Sequence, residues 1–181
     1  LKRGTRAKEC VGVMLPTGAA AAITVFGLSA YGRVPTMLNF TSGTANLLSA
    51  LKTAKVKRIV TARRFIGIAK MEELVDELGR VAEIVYLEDV RSGLTLLDKA
   101  AAAAGLVLPS LVTAKPDPDS LAVILFTSGT EGAPKGVALS HANILANTAQ
   151  VQAHIALSPE EDLLLNPLPV FPCFGLSVGT I

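Results

Sequence analysis

Tryptophan is absent and aromatic residues make up only 4% of the 181-residue chain, so an apolar content of 50% has to come from aliphatic side chains. That balance suits the strands of a parallel sheet, which are buried on both faces. Charge of one sign is lacking too. Seventeen basic and 15 acidic residues leave a formal net charge of +2, too balanced to point to a nucleic-acid partner. Cysteine is scarce: Cys10 and Cys173 lie far apart, without a C-x-x-C pair and without histidines at metal-ligand spacing. This excludes a disulfide scaffold and a structural zinc, and it fits a reduced, cytoplasmic protein. The uncharged stretch from Val11 to Gly32 is interrupted by Pro16 and Gly18 and is rich in Ala and Thr, so a strand turning into a buried helix is expected there and not a membrane span. The lysines and arginines of residues 2–8 precede no small-residue cleavage site, which argues against a secretory signal.

What the chain does contain is a regular alternation of apolar runs and helical patterns. "CVGVMLP", "VPTMLN", "RIVTA" and "EIVYLE" read as strands, and Ala19–Tyr31, Thr44–Ala54, Met71–Leu78 and Leu94–Ala104 as helices, the last closed by Gly105. In the second helix Leu47, Leu48, Leu51 and Ala54 share one face. Such alternation predicts parallel strands joined by crossover helices, hence an α/β fold with a mostly parallel sheet. Residues 105–119, ending "AKPDPDS", are the expected linker between a first αβ portion (1–104) and a second portion (120–181), because Pro116 and Pro118 forbid regular pairing. Two further strands, "LAVILF" and "GVALS", follow. Ser140 is placed to cap a helix reaching about Ala156, Ser158 to cap another, and "LLLNPLPVF" reads as a last strand. The chain stops at "FGLSVGTI" within an apolar pattern, as a cut fragment would. The basic residues Lys52, Lys55, Lys57, Arg58, Arg63 and Arg64 are interrupted by apolar ones and are expected to form a solvated surface.

Between the two late strands lies "TSGTEGAPKG", dense in glycine and hydroxyls and carrying Lys135. Glycines let backbone N–H groups approach anionic oxygens, and the hydroxyls and lysine add donors and charge, so the stretch suits a polyphosphate. It is not the G-x-x-x-x-G-K-[ST] loop: Pro134 precedes the lysine, Val137 follows soon after it, and a strand comes where a helix should begin. A plain hairpin turn accounts for the glycines as well. Both readings hold together if the hairpin carries the phosphate loop at its tip.

"TSGTEGAPKGVALSH", with "VGVMLP", "GRVPTMLNFTSG", "VYLEDV" and "LPVFPCFGL" in that order, resembles the adenylate-forming enzymes along essentially the whole chain. The family includes acyl-CoA synthetases, luciferases and peptide-synthetase adenylation domains. Within it, "MLNFTSG", "VYLEDV" and "SGTEGAPKGV" look most like the synthetase half of the bifunctional acyltransferase/acyl-ACP synthetases. The resemblance implies a truncated N-terminal portion of an ATP-dependent ligase that uses Mg²⁺, joins a fatty acid to ATP and passes the acyl group to acyl carrier protein or coenzyme A. A lysophospholipid would be handled by another domain, with a peripheral place at the cytoplasmic face of the inner membrane. The isolated chain is expected to be inactive.

The same resemblance assigns phosphate contacts to Thr127, Ser128, Gly129, Thr130, Gly132 and Lys135, with Lys135 and Thr130 catalytic and Thr130 the residue nearest Mg²⁺. Phe171, Pro172, Cys173, Phe174 and Gly175 would stand near the acyl substrate. One departure is plain: where the family carries a histidine in this turn, the chain has Pro172, which lacks both an imidazole and a backbone N–H. That favours weakened or altered adenylation, and it keeps a rival in view, a non-catalytic scaffold of the same fold that binds partners. His141 and His154 read as helix-terminal residues, and Cys173 as a small buried one.

Overall fold

The aliphatic runs form the strands, and the periodic segments between them form the crossovers. A computed structural model describes residues 5–115, 117–127, 134–155, 168, 169 and 171. In chain order the elements are β1 (Cys10–Val13), α1 (Ala19–Ala30), β2 (Val34–Met37), α2 (Thr44–Thr53), β3 (Arg58–Thr61), α3 (Arg63–Ala69), α4 (Glu72–Gly79), β4 (Glu83–Tyr86), α5 (Leu87–Ser92), α6 (Leu96–Val107), α7 (Pro109–Val112), β5 (Leu121–Thr127), β6 (Lys135–Ser140) and α8 (His141–His154). The strands make one sheet in the order β4-β3-β1-β2-β5-β6. β1 to β5 run parallel, and β6 returns antiparallel to β5. The expected α/β architecture, a mostly parallel sheet with crossover helices and a terminal hairpin, is therefore the observed one.

Each face of the sheet has its own helical cover. On one face Val11, Val13, Met37, Val60 and Leu125 pack against Val25 and Leu28 of α1. On the other, Met14, Leu38 and Ile59 pack against Leu47 and Leu51 of α2 and against Val75 and Leu78 of α4. Burying one such aliphatic side chain contributes about 1.5–3 kcal/mol, so the two layers hold the strands from both sides. α1 buries Ala21, Thr24, Val25 and Leu28, the i, i+3, i+4, i+7 stripe that turns an Ala-rich uncharged segment into a covering helix. Among the described residues no helix is long and apolar enough to cross a membrane.

Three local readings change. The helix expected to end at Gly105 continues to Val107. A Cβ on Gly105 would stand 2.8 Å from Val112 Cγ2, so the glycine permits a close approach of α7, and Pro109 is what stops α6. The strand read as "EIVYLE" ends at Tyr86, because Glu88 and Asp89 occupy the first turn of α5, where acidic groups favour a helix start. α3, a seven-residue helix, was not anticipated. Within the expected linker, residues 109–112 are helical and the backbone N–H of Ala114 donates to Ala30 O at 2.7 Å. The expected cap at Ser158 and most of "LLLNPLPVF" lie outside the described residues.

Candidate functional site

Parallel strands end along one edge of the sheet, so the loops after β1 to β5 and the start of β6 all gather there. The chain passes from β1 out to β2 and then back across β1 to β3. α1 covers one face and α2 the other, so the loops after β1 and β2 diverge and leave a crevice. Open α/β sheets bind ligands at such switch points.

Two contacts place Leu168 and Phe171 over this crevice. Thr17, after β1, donates its hydroxyl to the Leu168 carbonyl at 3.0 Å. Phe40, after β2, meets Phe171 edge to face with ring centroids 5.4 Å apart, and meets Phe65 of α3 in the same manner at 5.1 Å. Edge-to-face aromatic pairs contribute about 0.5–1.5 kcal/mol beyond their buried area. The loop carrying Phe40 is itself fixed. Asn39 Oδ1 accepts from the Thr41 N–H at 2.9 Å and from the Thr41 hydroxyl at 2.7 Å, and the Ser42 hydroxyl donates to Asn39 O at 2.7 Å.

Next to the aromatic row, Arg63 donates to both Asp89 oxygens, at 2.6 and 2.7 Å, and its guanidinium lies 4.1 Å from the centroid of the Tyr86 ring. The Arg63 hydrogen bonds hold the Asp89 carboxyl below the usual carboxylate range. Arg63, expected on a solvated surface, is exposed and is paired in this fork. Arg58, from the same basic stretch, bridges Glu9 and Glu83.

The β5–β6 hairpin stands at the end of the sheet and brings Thr127 opposite Lys135. Directly opposed residues on an antiparallel pair place their side chains on the same face. Both are exposed. Gly136 faces Phe126 across the ladder, and a Cβ there would stand 3.2 Å from the Phe126 ring, a tight contact that the ring would have to shift to relieve. Behind the hairpin the Ser140 hydroxyl accepts from the Asn143 N–H at 3.2 Å and the Asn143 side chain accepts from the Ser140 N–H at 3.0 Å, a reciprocal capping box that starts α8 directly from β6.

Of the residues assigned from the sequence, Thr127 and Lys135 are brought together and Phe171 joins the crevice. Ser128, Gly129, Thr130, Gly132, Pro172, Cys173, Phe174 and Gly175 lie outside the described residues. Thr17, Asn39 and Phe40 are not among the residues assigned from the sequence, and Arg63 appears there only within the basic stretch; Asn39 and Phe40 carry a signal, because both fall inside "MLNFTSG". His141 and His154 keep their helix-terminal roles: the His141 N–H donates to Ser120 O at 3.2 Å, and His154 Nδ1 lies 2.8 Å from Gln150 O. Cys10 lies at the opposite edge of the sheet, and burial pushes its thiol up, away from a reactive thiolate.

Residues 1–181 match the AMP-binding enzyme family, and the chain belongs to it. It is 30% identical over 178 residues to the sulfoacetate–CoA ligase of Cupriavidus necator, covering 98% of this chain and 33% of that protein. It is 24% identical over 180 residues to 4-coumarate–CoA ligase 1 of Solanum tuberosum, covering 97% of this chain and 32% of that enzyme. The chain thus spans about a third of the length of these curated relatives. Among solved structures, the fold superposes on VinN with a TM-score of 0.78 at 24% identity, covering 97% of this chain and 43% of VinN. It also superposes on the o-succinylbenzoate CoA synthetase of Bacillus subtilis in complex with ATP and magnesium, with a TM-score of 0.76 at 18% identity, covering 97% of this chain and 42% of that one.

Proposed function

We propose that this chain is the part of an ATP-dependent acid–thiol ligase that holds the ATP phosphates and one wall of the acid site. The observation that carries the reading is the pairing of Thr127 with Lys135 at the hairpin tip, on the same edge as the crevice bearing Leu168 and Phe171. ATP, when bound, supplies the phosphoryl group that activates the acid, and Mg²⁺ offsets part of its charge. The carboxylate oxygen attacks the α-phosphorus, the bond to the bridging oxygen breaks, and pyrophosphate leaves. A thiol then takes the acyl group and AMP departs. The Lys135 ammonium opposes the charge that accumulates on the departing phosphates, and the Thr127 hydroxyl donates to a phosphate oxygen. Asn39 shapes the loop that presents Phe40 to Phe171, and so orients the acid-side turn.

The acid is a carboxylate with an apolar body, in keeping with the Phe40–Phe65–Phe171 row, and a fatty acid is the reading that the sequence resemblance supports. The thiol is coenzyme A, as the names of the relatives suggest, or acyl carrier protein. The second is supported by "MLNFTSG" and "VYLEDV", which also support a place in lysophospholipid re-acylation through another domain. Acid-dependent ATP–pyrophosphate exchange by the whole protein tests the reading. Lys135→Ala is expected to lower exchange about 10²–10³-fold. Absence of exchange with short, long-chain and aromatic acids, in a folded protein that carries Pro172, would sink the ligase reading in favour of a scaffold.

A further inference from the structure

At the opposite edge of the sheet, where β1 and β3 begin, a cavity of about 490 Å³ opens between the segment leading into β1 and the end of α2. Arg6, Lys8, Lys55, Lys57 and Arg58 line it, with Glu9 as the one acid in the lining. Glu9 is already spent: one carboxylate oxygen takes Arg58 Nη1 at 2.7 Å and the other the Arg6 backbone N–H at 2.7 Å. Arg58 is further held by Glu83 at 2.7 Å. Among the described residues no acid pairs with the side chains of Arg6, Lys8, Lys55 or Lys57.

Arg6, Lys8, Lys55 and Lys57 are all exposed, and four cations around one concavity without a paired acid raise the local concentration of anions there. Two of the lysines also stand at left-handed backbone positions. Lys55 follows α2 with φ 53, a left-handed position usually given to glycine, and the N–H of Val56 closes the helix on Leu51 O at 2.9 Å. Lys8 has φ 62, and its N–H donates to Gly32 O at 2.7 Å. Ala7, Cys10 and Ala54 add apolar surface to the lining. The volume falls within the range of small-molecule sites, about 300–1,000 Å³.

We propose that this cavity binds a small organic molecule bearing two or more phosphate groups, at a site separate from the β5–β6 hairpin. The phosphates lie among Arg6, Lys8, Lys55 and Lys57, and the organic body rests on Ala7, Cys10 and Ala54. The site goes beyond the ligase reading and does not rest on it, because it shares no residue with the hairpin.

Inorganic pyrophosphate is the probe, titrated into the isotopically labelled chain while amide resonances are followed. Saturable shifts are expected at residues 6–10 and 54–58. Lys57→Glu should weaken the affinity read at those amides about tenfold. Lys55→Gly suits the left-handed backbone better than lysine, so it keeps the fold while also weakening binding. Lys135→Ala should leave these amides unchanged while abolishing shifts at residues 135–140. Shifts confined to the hairpin, or equal saturation in Lys57→Glu and the parent, would overturn the site whatever the fate of the ligase reading. Binding to anionic vesicles or to RNA without binding to pyrophosphate would overturn it too.

Discussion

Gly12 sits in the middle of β1, in register with Thr36 of β2 on one side and Ile59 of β3 on the other. Its backbone lies outside the left-handed region, so alanine is allowed by conformation and the question is one of space. A Cβ would stand 2.9 Å from Leu38 Cδ1 and 3.3 Å from both Ile59 Cγ1 and Val56 Cγ1. Leu38 and Ile59 are fully buried, so neither can yield toward solvent. Alanine gains about 0.5–1 kcal/mol by restricting the unfolded chain, and overpacking a filled core costs about 1–3 kcal/mol. The net expectation for Gly12→Ala is a loss of about 0.5–2 kcal/mol. Gly27, in α1, has nothing within 4 Å of the same virtual atom, and Gly27→Ala should gain up to about 1 kcal/mol. Urea unfolding of the two variants and the parent reads both signs, as opposite shifts in midpoint at unchanged slope. A Gly12→Ala protein as stable as the parent would show that the three neighbours do not fill the space as described. Because β1 leads directly to Thr17, the same variant should also loosen the hydrogen bond that holds Leu168.

Ser140→Ala removes the hydroxyl that caps α8 and should destabilise the chain by about 1 kcal/mol, whereas Ser140→Asp should retain most of the parent's urea midpoint. Asp89 has a folded-state pKa below its ordinary value, so its stabilisation is present above that ordinary value and is lost as pH falls through the folded one. Asp89→Asn should therefore flatten the fall of the urea midpoint below about pH 4, and identical acid slopes in variant and parent would refute a contribution from the Arg63 fork.

Periodicity and turn chemistry are local properties, and whatever depended on them was legible. The strands around Val11, Val34, Ile59 and Val123, the amphipathic stripe of α2 and the cap at Ser140 needed only their own neighbours. So did the hairpin, since two apolar runs flank a glycine-rich turn. Other features depend on where the topology brings distant segments together. The Thr17–Leu168 and Phe40–Phe171 contacts exist because loops after β1 and β2 diverge to opposite faces of the sheet, which no window of sequence displays. Arg63 and Asp89 meet because β3 and β4 are parallel neighbours, and from spacing alone both look like ordinary solvated charges. Gly105 misled for a related reason: a glycine near the end of a helical pattern reads as a terminator, and the neighbour that requires its smallness, Val112, belongs to another helix.

β1 to β4 each pair within a stretch of chain bridged by one crossover or two, whereas β5 joins β2 only after β3, β4 and the six helices α2 to α7 have intervened. Pairings between residues far apart in sequence close slowly, because a long loop must lose its freedom before any contact forms. During synthesis the four-stranded half is complete before Leu121 is made. The β5–β6 hairpin, local in itself, therefore arrives as a preformed piece that docks late through Thr36 and Ile124. Until it does, the open side of β2 is an unpaired edge able to capture a strand from another chain. The order of assembly makes the β5–β6 hairpin the guard of that edge, so lesions in β2 or β5 should appear first as aggregation of new chains.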